Sequence, residues 1–179
     1  MDARTRLEQL YASFAPDVRA YARRRIHAEA VDDVVADVFV VAWRKIDSVP
    51  EEALPWLLGV ARKVVGNQLR SAHRRLALTE RLGDQPAAAA AEVESGEVLR
   101  ALASLSPRDR EVLMLIAWEG LHQREAAAAM DCSPPVFRVR LFRARKKLEH
   151  ALRQEAADPQ PAVEGTRTIA VFDKRGDLS

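Results

Sequence analysis

Residues 133–148, SPPVFRVRLFRARKKL, combine cationic and bulky apolar side chains at helical spacing. On a helical wheel one narrow apolar arc forms the expected core face: Phe137, Leu141, Ala144 and Leu148. The opposite face mixes cations with apolar groups: Val136, Arg138, Val139, Phe142, Arg143 and Lys146. Arginine suits phosphate oxygens and apolar groups suit thymine methyls, so this face has the chemistry of a major-groove ligand. The alternative is an ordinary solubilising surface.

A second cationic segment, RKVVGNQLRSAHRR, covers residues 62–75 and contains no acidic residue. Its charged positions are Arg62, Lys63, Arg70, Arg74 and Arg75. Trp56 lies just before them, and an indole beside cations is able to stack on an unpaired base of single-stranded nucleic acid. The competing interpretation of Trp56 is an ordinary core residue.

Residues 29–37, EAVDDVVAD, are acidic and contain no base. Asp32, Asp33 and Asp37 do not suit a nucleic-acid surface, because carboxylates repel phosphates. They indicate either a solvated helix face or a contact with a protein partner that has a basic surface.

The chain offers no arrangement for catalysis, so we expect no enzyme, no catalytic residue, no metal and no cofactor. The single Cys132 excludes an internal disulfide, and the four histidines lack the spacing of metal ligands. The net charge of +2 excludes no partner class, whereas the sorting of charge into separate segments favours two different partners. No export signal or membrane-spanning run appears, which predicts a cytoplasmic protein.

Apolar residues recur at intervals of three and four, which predicts an all-α fold. The first stripe contains Leu7, Leu10, Tyr11, Phe14, Val18, Tyr21 and Ile26. The second contains Val31, Val34, Val35, Val38, Ala42 and Ile46, and the third, on a helix over about 54–75, contains Trp56, Leu57, Val60, Val64 and Leu69. A short fourth stripe contains Val98, Leu99, Leu102 and Leu105.

Residues 82–96, LGDQPAAAAAEVESG, lack a capped amphipathic pattern and read as a linker. They divide the chain into two small helical domains, residues 1–80 and 97–155, with a linker over 81–96. Residues 156–179 are expected to be a disordered tail.

The second domain carries a helix-turn-helix pattern. Ser106 and Pro107 begin a helix with Asp109 three residues after the cap, and Gly120 ends it. A small alanine-rich helix over 122–130 follows, then the turn Asp131-Cys132-Ser133, with Ser133 as cap of the cationic helix. In such a motif the second helix enters the major groove, which favours DNA binding over a merely solubilising surface.

Three segments in this order resemble the bacterial sigma factors of the extracytoplasmic-function group. DDVVADVFVVAWRK (32–45) and PWLLGVARKVVGNQLR (55–70) are similar to the conserved region 2 of that family, and residues 102–148 are similar to its region 4. The resemblance covers about residues 7–153.

The resemblance implies three binding surfaces. The helix with Asp33, Val34, Asp37, Val38 and Trp43 would dock on the clamp helices of the largest subunit of RNA polymerase, and the flap of the second-largest subunit is a further partner. The melted −10 strand would contact Ser48, Trp56, Arg62, Lys63, Asn67, Arg70 and Arg74. The −35 duplex would contact Ser133, Val136, Arg138, Val139, Arg140, Phe142, Arg143 and Lys146.

The resulting expectation is a sigma factor that binds core RNA polymerase and directs initiation at promoters. An anti-sigma factor is a further expected partner, because many relatives are held inactive by one. The main alternative is a free-standing helix-turn-helix regulator that acts without polymerase. A second alternative is an interaction decoy that occupies polymerase or a regulator without reading DNA.

Overall fold

A computed structural model describes residues 2–81 and 96–157, except for the side chains of His73 and residues 75–81. The helices in these ranges are α1 (Ala3–Arg23), α2 (Val31–Arg44), α3 (Ala53–Arg81), α4 (Glu97–Ser104), α5 (Pro107–Ala117), α6 (Gln123–Ala129) and α7 (Pro134–Ala157). Two 3₁₀ turns, Ala28–Ala30 and Ile46–Ser48, flank α2. The predicted all-α class is confirmed. Nearly all of the predicted linker and tail lies outside the described residues.

Helices α1, α2 and α3 pack on one another and form the first unit. The apolar stripe of α2 faces inward as predicted, because Val31, Val34, Val35, Val38 and Ala42 are all buried. The Arg6 guanidinium on α1 donates to the Val49 carbonyl oxygen at 2.5 Å, which ties the loop before α3 to α1.

Helix α7 is the organising element of the second unit, because α4, α5 and α6 all pack against it. The predicted start of α5 is confirmed: the Ser106 hydroxyl oxygen accepts from the Asp109 N–H at 3.2 Å. The Ser106 hydroxyl in turn donates to the Asp109 carboxylate at 2.7 Å, and Lys147 on α7 donates to the same oxygen. The Lys147 hydrogen bond lowers the pKa of Asp109 below its ordinary value.

Three residues of the predicted apolar stripes lie at the surface instead. Tyr11, Leu69 and Val98 are each about half exposed. Helix α3 also continues to Arg81 rather than ending near residue 75. At 1.5 Å per residue its 29 residues extend about 43 Å, roughly twice the length of the 14-residue α2.

The two units pack against each other through α3 and α6. The backbones approach closely at Gly59, where an added Cβ would lie 3.2 Å from the Ala129 carbonyl oxygen. Their buried apolar residues form one continuous cluster. Within residues 2–81 and 96–157, no helix has the length and apolar character that crossing a bilayer requires.

Candidate functional site

The helix-turn-helix consists of α6, a turn over residues 130–133 and α7. The turn is tight because Asp131 takes a left-handed conformation with φ of 53°, which Asp tolerates better than most residues. The Cys132 N–H donates to the Ala127 carbonyl oxygen at 3.0 Å and closes the end of α6. Ala126, Ala127 and Ala129 are buried, so α6 lies close to its neighbours.

The two faces of α7 are divided as the wheel predicts. Phe137 and Ala144 are fully buried, Leu141 is 3% exposed, and Leu148 packs partly on the core. On the outer face Val136, Val139 and Phe142 are 42%, 50% and 63% exposed. Three bulky apolar side chains therefore stand in solvent on one helix.

The cations of α7 differ in how free they are. Arg138 and Arg143 are exposed and have no ion-pair partner among the described residues, whereas Lys146 pairs with Glu149 at 3.1 Å. Arg140 is half-buried, and Ser133 is exposed at the cap position before Pro134. Arg138 and Arg143, beside Val139 and Phe142, are thus the side chains best placed for an anionic ligand.

The residues predicted to hold single-stranded DNA lie along α3 and the loop before it. Ser48, Lys63, Asn67, Arg70 and Arg74 are exposed. Trp56 and Arg62 are half-buried. Trp56 packs against the core, and the rest of this residue remains accessible to solvent.

The first half of this α3 surface contacts the second unit. The Arg62 Nε donates to the Ala129 carbonyl oxygen at 3.1 Å, and the Lys63 ammonium lies 3.6 Å from the Asp131 carboxylate. Asn67 and Arg70 are hydrogen-bonded to each other at 2.6 Å and remain open to solvent.

The outer face of α2 presents the predicted acidic surface. Asp33 and Asp37 are exposed and have no ion-pair partner within the part of the chain that the structure describes, whereas Asp32 pairs with Arg19. Trp43 is 47% exposed. Sequence reasoning missed Val40, which is 45% exposed and lies three residues after Asp37, a spacing that puts both on one face.

Two residues predicted for this surface need correction. Val34 and Val38 have no exposed surface, because they form the inward stripe of α2. They hold the helix in place and are not able to contact a partner of the folded protein.

Across residues 2–81 and 96–157 no three His, Cys, Asp or Glu side chains lie close enough together to hold a metal ion.

Comparison with known proteins agrees with this arrangement. The family description "Sigma-70 region 2" matches residues 10–75, and "Sigma-70, region 4" matches residues 95–148. The chain is 30% identical over 151 residues to the ECF RNA polymerase sigma factor EcfG of Rhodopseudomonas palustris, covering 80% of this chain and 83% of EcfG.

Two further relatives extend the comparison. The probable RNA polymerase sigma factor RfaY of Xanthomonas campestris is 30% identical over 139 residues, and here the chain spans only 34% of the relative's length. The sigma factor RpoE of Bartonella quintana, solved in complex with the anti-sigma factor NepR, superposes with a TM-score of 0.62. That match is 26% identical and covers 82% of this chain and 96% of RpoE.

Both units, in this order, thus match the two regions of one family, and a relative of nearly the same extent shares them. The chain belongs to the sigma-70 family of RNA polymerase sigma factors, in its extracytoplasmic-function group, whose members are transcription initiation factors rather than enzymes.

Proposed function

We propose that this protein binds core RNA polymerase and directs it to promoters by reading the −35 element as duplex and the −10 element as a melted strand. One observation carries the proposal: α7 exposes Val139, Phe142 and Arg143 together, on the second helix of a helix-turn-helix. The protein itself makes and breaks no covalent bond in this role.

The −35 duplex is the proposed ligand of α7. Thymine methyls in the major groove accept apolar contacts, and the neighbouring phosphates accept arginine. Val136, Val139 and Phe142 are the proposed base-reading residues, and Arg138 and Arg143 the proposed phosphate ligands. Ser133, Arg140 and Lys146 have secondary parts, because Arg140 is half-buried and Lys146 is already paired.

The melted −10 strand is the proposed ligand of α3 and of the loop that contains Ser48. Single-strand binding combines stacking on an aromatic ring with cations that follow the backbone. Trp56 supplies the ring, Asn67 a polar contact, and Arg62, Lys63, Arg70 and Arg74 supply the cations.

The clamp helices of the largest polymerase subunit are the proposed partner of α2. Asp33 and Asp37 supply unpaired negative charge, and Val40 and Trp43 supply exposed apolar area beside it. Such a mixture is typical of a protein interface, where aromatic anchors lie next to charged groups. The flap of the second-largest subunit is the proposed partner of the second unit.

An anti-sigma factor is a further proposed partner. RpoE, which shares the fold over most of its length, was solved with the anti-sigma factor NepR. The proposed location is the cytoplasm, because polymerase and promoter DNA are there.

Run-off transcription tests the function. Purified protein is added to core polymerase on a library of fragments from the source genome, and discrete new transcript starts are expected. A gel shift with and without core enzyme accompanies it. Tight specific binding of the protein alone to intact duplex, with no new starts, would support a free-standing regulator instead.

A further inference from the structure

The loop of residues 45–52 joins α2 to α3 and carries Ser48, one of the proposed −10 contacts, on its outer side. Ile46 and Val49 are buried and anchor the loop, whereas Ser48 between them is exposed. The Ser48 N–H donates to the Lys45 carbonyl oxygen at 2.8 Å, and the Val49 N–H donates to the Ile46 carbonyl oxygen at 3.3 Å. The first half of the loop is therefore a short 3₁₀ turn with two apolar anchors.

The backbone leaves this turn at Val49. Pro50 follows, and a proline disfavours helical geometry in the residue before it. Val49 is accordingly extended, with φ of −69° and ψ of 122°. No backbone N–H of the described residues donates to the Val49 carbonyl oxygen. The local sequence thus produces a carbonyl group that needs a donor from elsewhere in the fold.

Arg6 on α1 supplies that donor. Its half-buried guanidinium donates to the Val49 carbonyl oxygen at 2.5 Å, across 43 positions of the sequence. A partly buried carbonyl oxygen without a donor is unfavourable, so this hydrogen bond stabilises the observed position of the loop. Among the described side chains, no other one forms a hydrogen bond or ion pair with the 45–52 loop. Arg6 is therefore the polar link between this loop and α1.

The link bears on the proposed −10 surface because that surface combines two kinds of element. Trp56 and Asn67 lie on α3, a regular helix, whereas Ser48 lies on a loop. A binding site on a loop is precise only when neighbouring residues hold the loop in place. A loop held in its bound shape also loses less conformational freedom on binding. Contacts from the loop and from α3 to one strand therefore require a fixed loop.

We propose that Arg6 is a positioning residue, which holds the 45–52 loop in the shape that receives a base of the melted −10 strand. In this role Arg6 does not touch DNA and acts through the Val49 peptide group. The inference rests on the proposed function, because the loop has a ligand only if the protein reads the −10 strand. It assigns part of the −10 sequence selectivity to α1, which lies outside the binding surfaces described above.

Three variants test the link. Arg6→Met removes every donor and keeps a long unbranched apolar stem. Arg6→Lys retains a charged donor on a flexible stem and is the conservative replacement. Arg4→Met is the matched control, because the Arg4 guanidinium lies on the same helix and pairs with Glu8 of α1 at 3.0 Å. Thermal melts followed by circular dichroism establish that each variant is folded.

The position of the loop is tested in the free protein by hydrogen exchange of the Ser48 and Val49 amides. Both N–H groups are bonded within the 3₁₀ turn, so their exchange reports local opening of the loop. A hydrogen bond from a charged donor shifts such an opening equilibrium by roughly tenfold or more, and Arg6→Met is expected to exchange faster by that factor. Arg6→Lys and Arg4→Met are expected to exchange close to the wild-type rate. Equal exchange in Arg6→Met and wild type would overturn the proposal.

Reading of the strand is tested with the complex of each variant and core polymerase. The templates are premelted at the −10 element of a promoter found by run-off transcription, and each −10 position carries each of the four bases in turn. Wild type is expected to prefer one base strongly at one position or more. Arg6→Met is expected to lose roughly fivefold to tenfold of that preference, as the loss of a charged hydrogen bond allows. Arg6→Lys is expected to restore it, and Arg4→Met to keep it.

The ratio between two bases separates positioning from general stability, because both templates meet the same protein. A uniform loss of transcript on every template, with unchanged base ratios, would assign Arg6 to the stability of the first unit and overturn the proposal. Wild-type protein without any base preference on these templates would overturn it too. Affinity for core polymerase and for the −35 duplex is expected to stay unchanged in all three variants.

Failure of this inference is distinguishable from failure of the proposed function. If wild type with core polymerase yields no discrete transcripts, the proposed function fails, and the role of Arg6 in reading DNA fails with it. If wild type initiates with base selectivity and Arg6→Met keeps that selectivity, only the role of Arg6 is refuted.

Discussion

Phe142 is 63% exposed on a helix whose opposite face is fully buried. Burying a side chain of this size stabilises a fold by about 1.5–3 kcal/mol, and the free protein forgoes most of that gain. The sequence predicted this exposure, because the 3.6-residue period fixes the direction of every side chain on a regular helix. It did not predict that Lys146 pairs with Glu149 while Arg143 stays free, since pairing depends on rotamers. That difference makes Arg143 the sharper test of DNA contact.

Arg143→Ala is expected to weaken binding of the polymerase complex to −35 duplexes of different sequence by similar factors. An arginine on phosphate releases one counterion, so the slope of log K against log salt should become shallower by about one. Fluorescence anisotropy across a salt series measures it. Arg153→Ala, an exposed arginine near the far end of α7, is the control. An unchanged slope would remove Arg143 from the phosphate ligands.

Asp37→Arg is expected to weaken binding to core polymerase at least tenfold and to leave the thermal melt unchanged. The residue is exposed, and reversing one charge at a complementary interface places like charges together, which costs several kcal/mol. Affinity is measured by competition with labelled wild-type protein. Asp17→Arg makes the same change on the exposed surface of α1. Equal affinity for the two variants would contradict the assignment of α2 as the docking surface.

At the scale of the helices, sequence patterns predicted where helices begin and which face is apolar. They did not predict whether a neighbouring element covers that face. The stripe of α2 and the capped start of α5 are local signals, and both are confirmed. Leu69 and Val98 carry the same signal yet lie at the surface, because periodicity marks a face without showing whether a neighbour covers it. Val34 and Val38 show the opposite error, because they were predicted to contact polymerase and are buried instead. The family motif identifies the helix, but only the structure shows which of its residues face outward.

The start of α5 gives a pH-dependent test. The pKa of Asp109 is lowered in the folded protein, first by its hydrogen bond to Lys147. The charged Asp109 carboxylate therefore contributes fully to the free energy of unfolding above its ordinary pKa of 3.8. This contribution is lost as the pH falls through the lowered pKa of the folded protein. Asp109→Asn is expected to reduce the free energy of unfolding by less than about 1 kcal/mol at pH 7, because the pair is partly solvated. Urea denaturation at pH 7 and pH 3 measures it.

The effect of Asp109→Asn should shrink at pH 3, because the carboxyl of the unfolded wild-type chain takes up protons below its ordinary pKa of 3.8. Asp17→Asn, at an exposed position of α1, is the control and should change stability little at either pH. An equal loss at pH 7 and pH 3 would assign the effect to packing rather than to charge.

At the scale of the whole molecule, composition and spacing predicted two units but not their contact. The Tyr21–Glu111 hydrogen bond joins residues 90 positions apart, and nothing in local periodicity pairs them. Arg24, Arg25, Glu111 and Glu119 look in the sequence like ordinary surface charges. Only the fold shows that they meet.

The length of the segment between α3 and α4 limits how far apart the two units are able to lie. Fifteen Cα–Cα steps join residues 81 and 96, which span at most about 50 Å when extended. Deleting residues 87–91, five alanines, reduces that limit to roughly 35 Å. A tether too short for its two sites loses the benefit of joint binding altogether. The deletion is therefore expected to abolish transcription from promoters that depend on both elements, while each unit remains folded.

Replacing the same five alanines with five glycines and serines keeps the length and is expected to retain activity. Run-off transcription from matched templates measures both variants, and far-ultraviolet circular dichroism checks folding. A series of templates with the −35 and −10 elements moved closer together completes the test, because the deletion variant should recover on the shorter spacings. Full activity of the deletion variant at the original spacing would show that the two elements are not read by one chain across this tether.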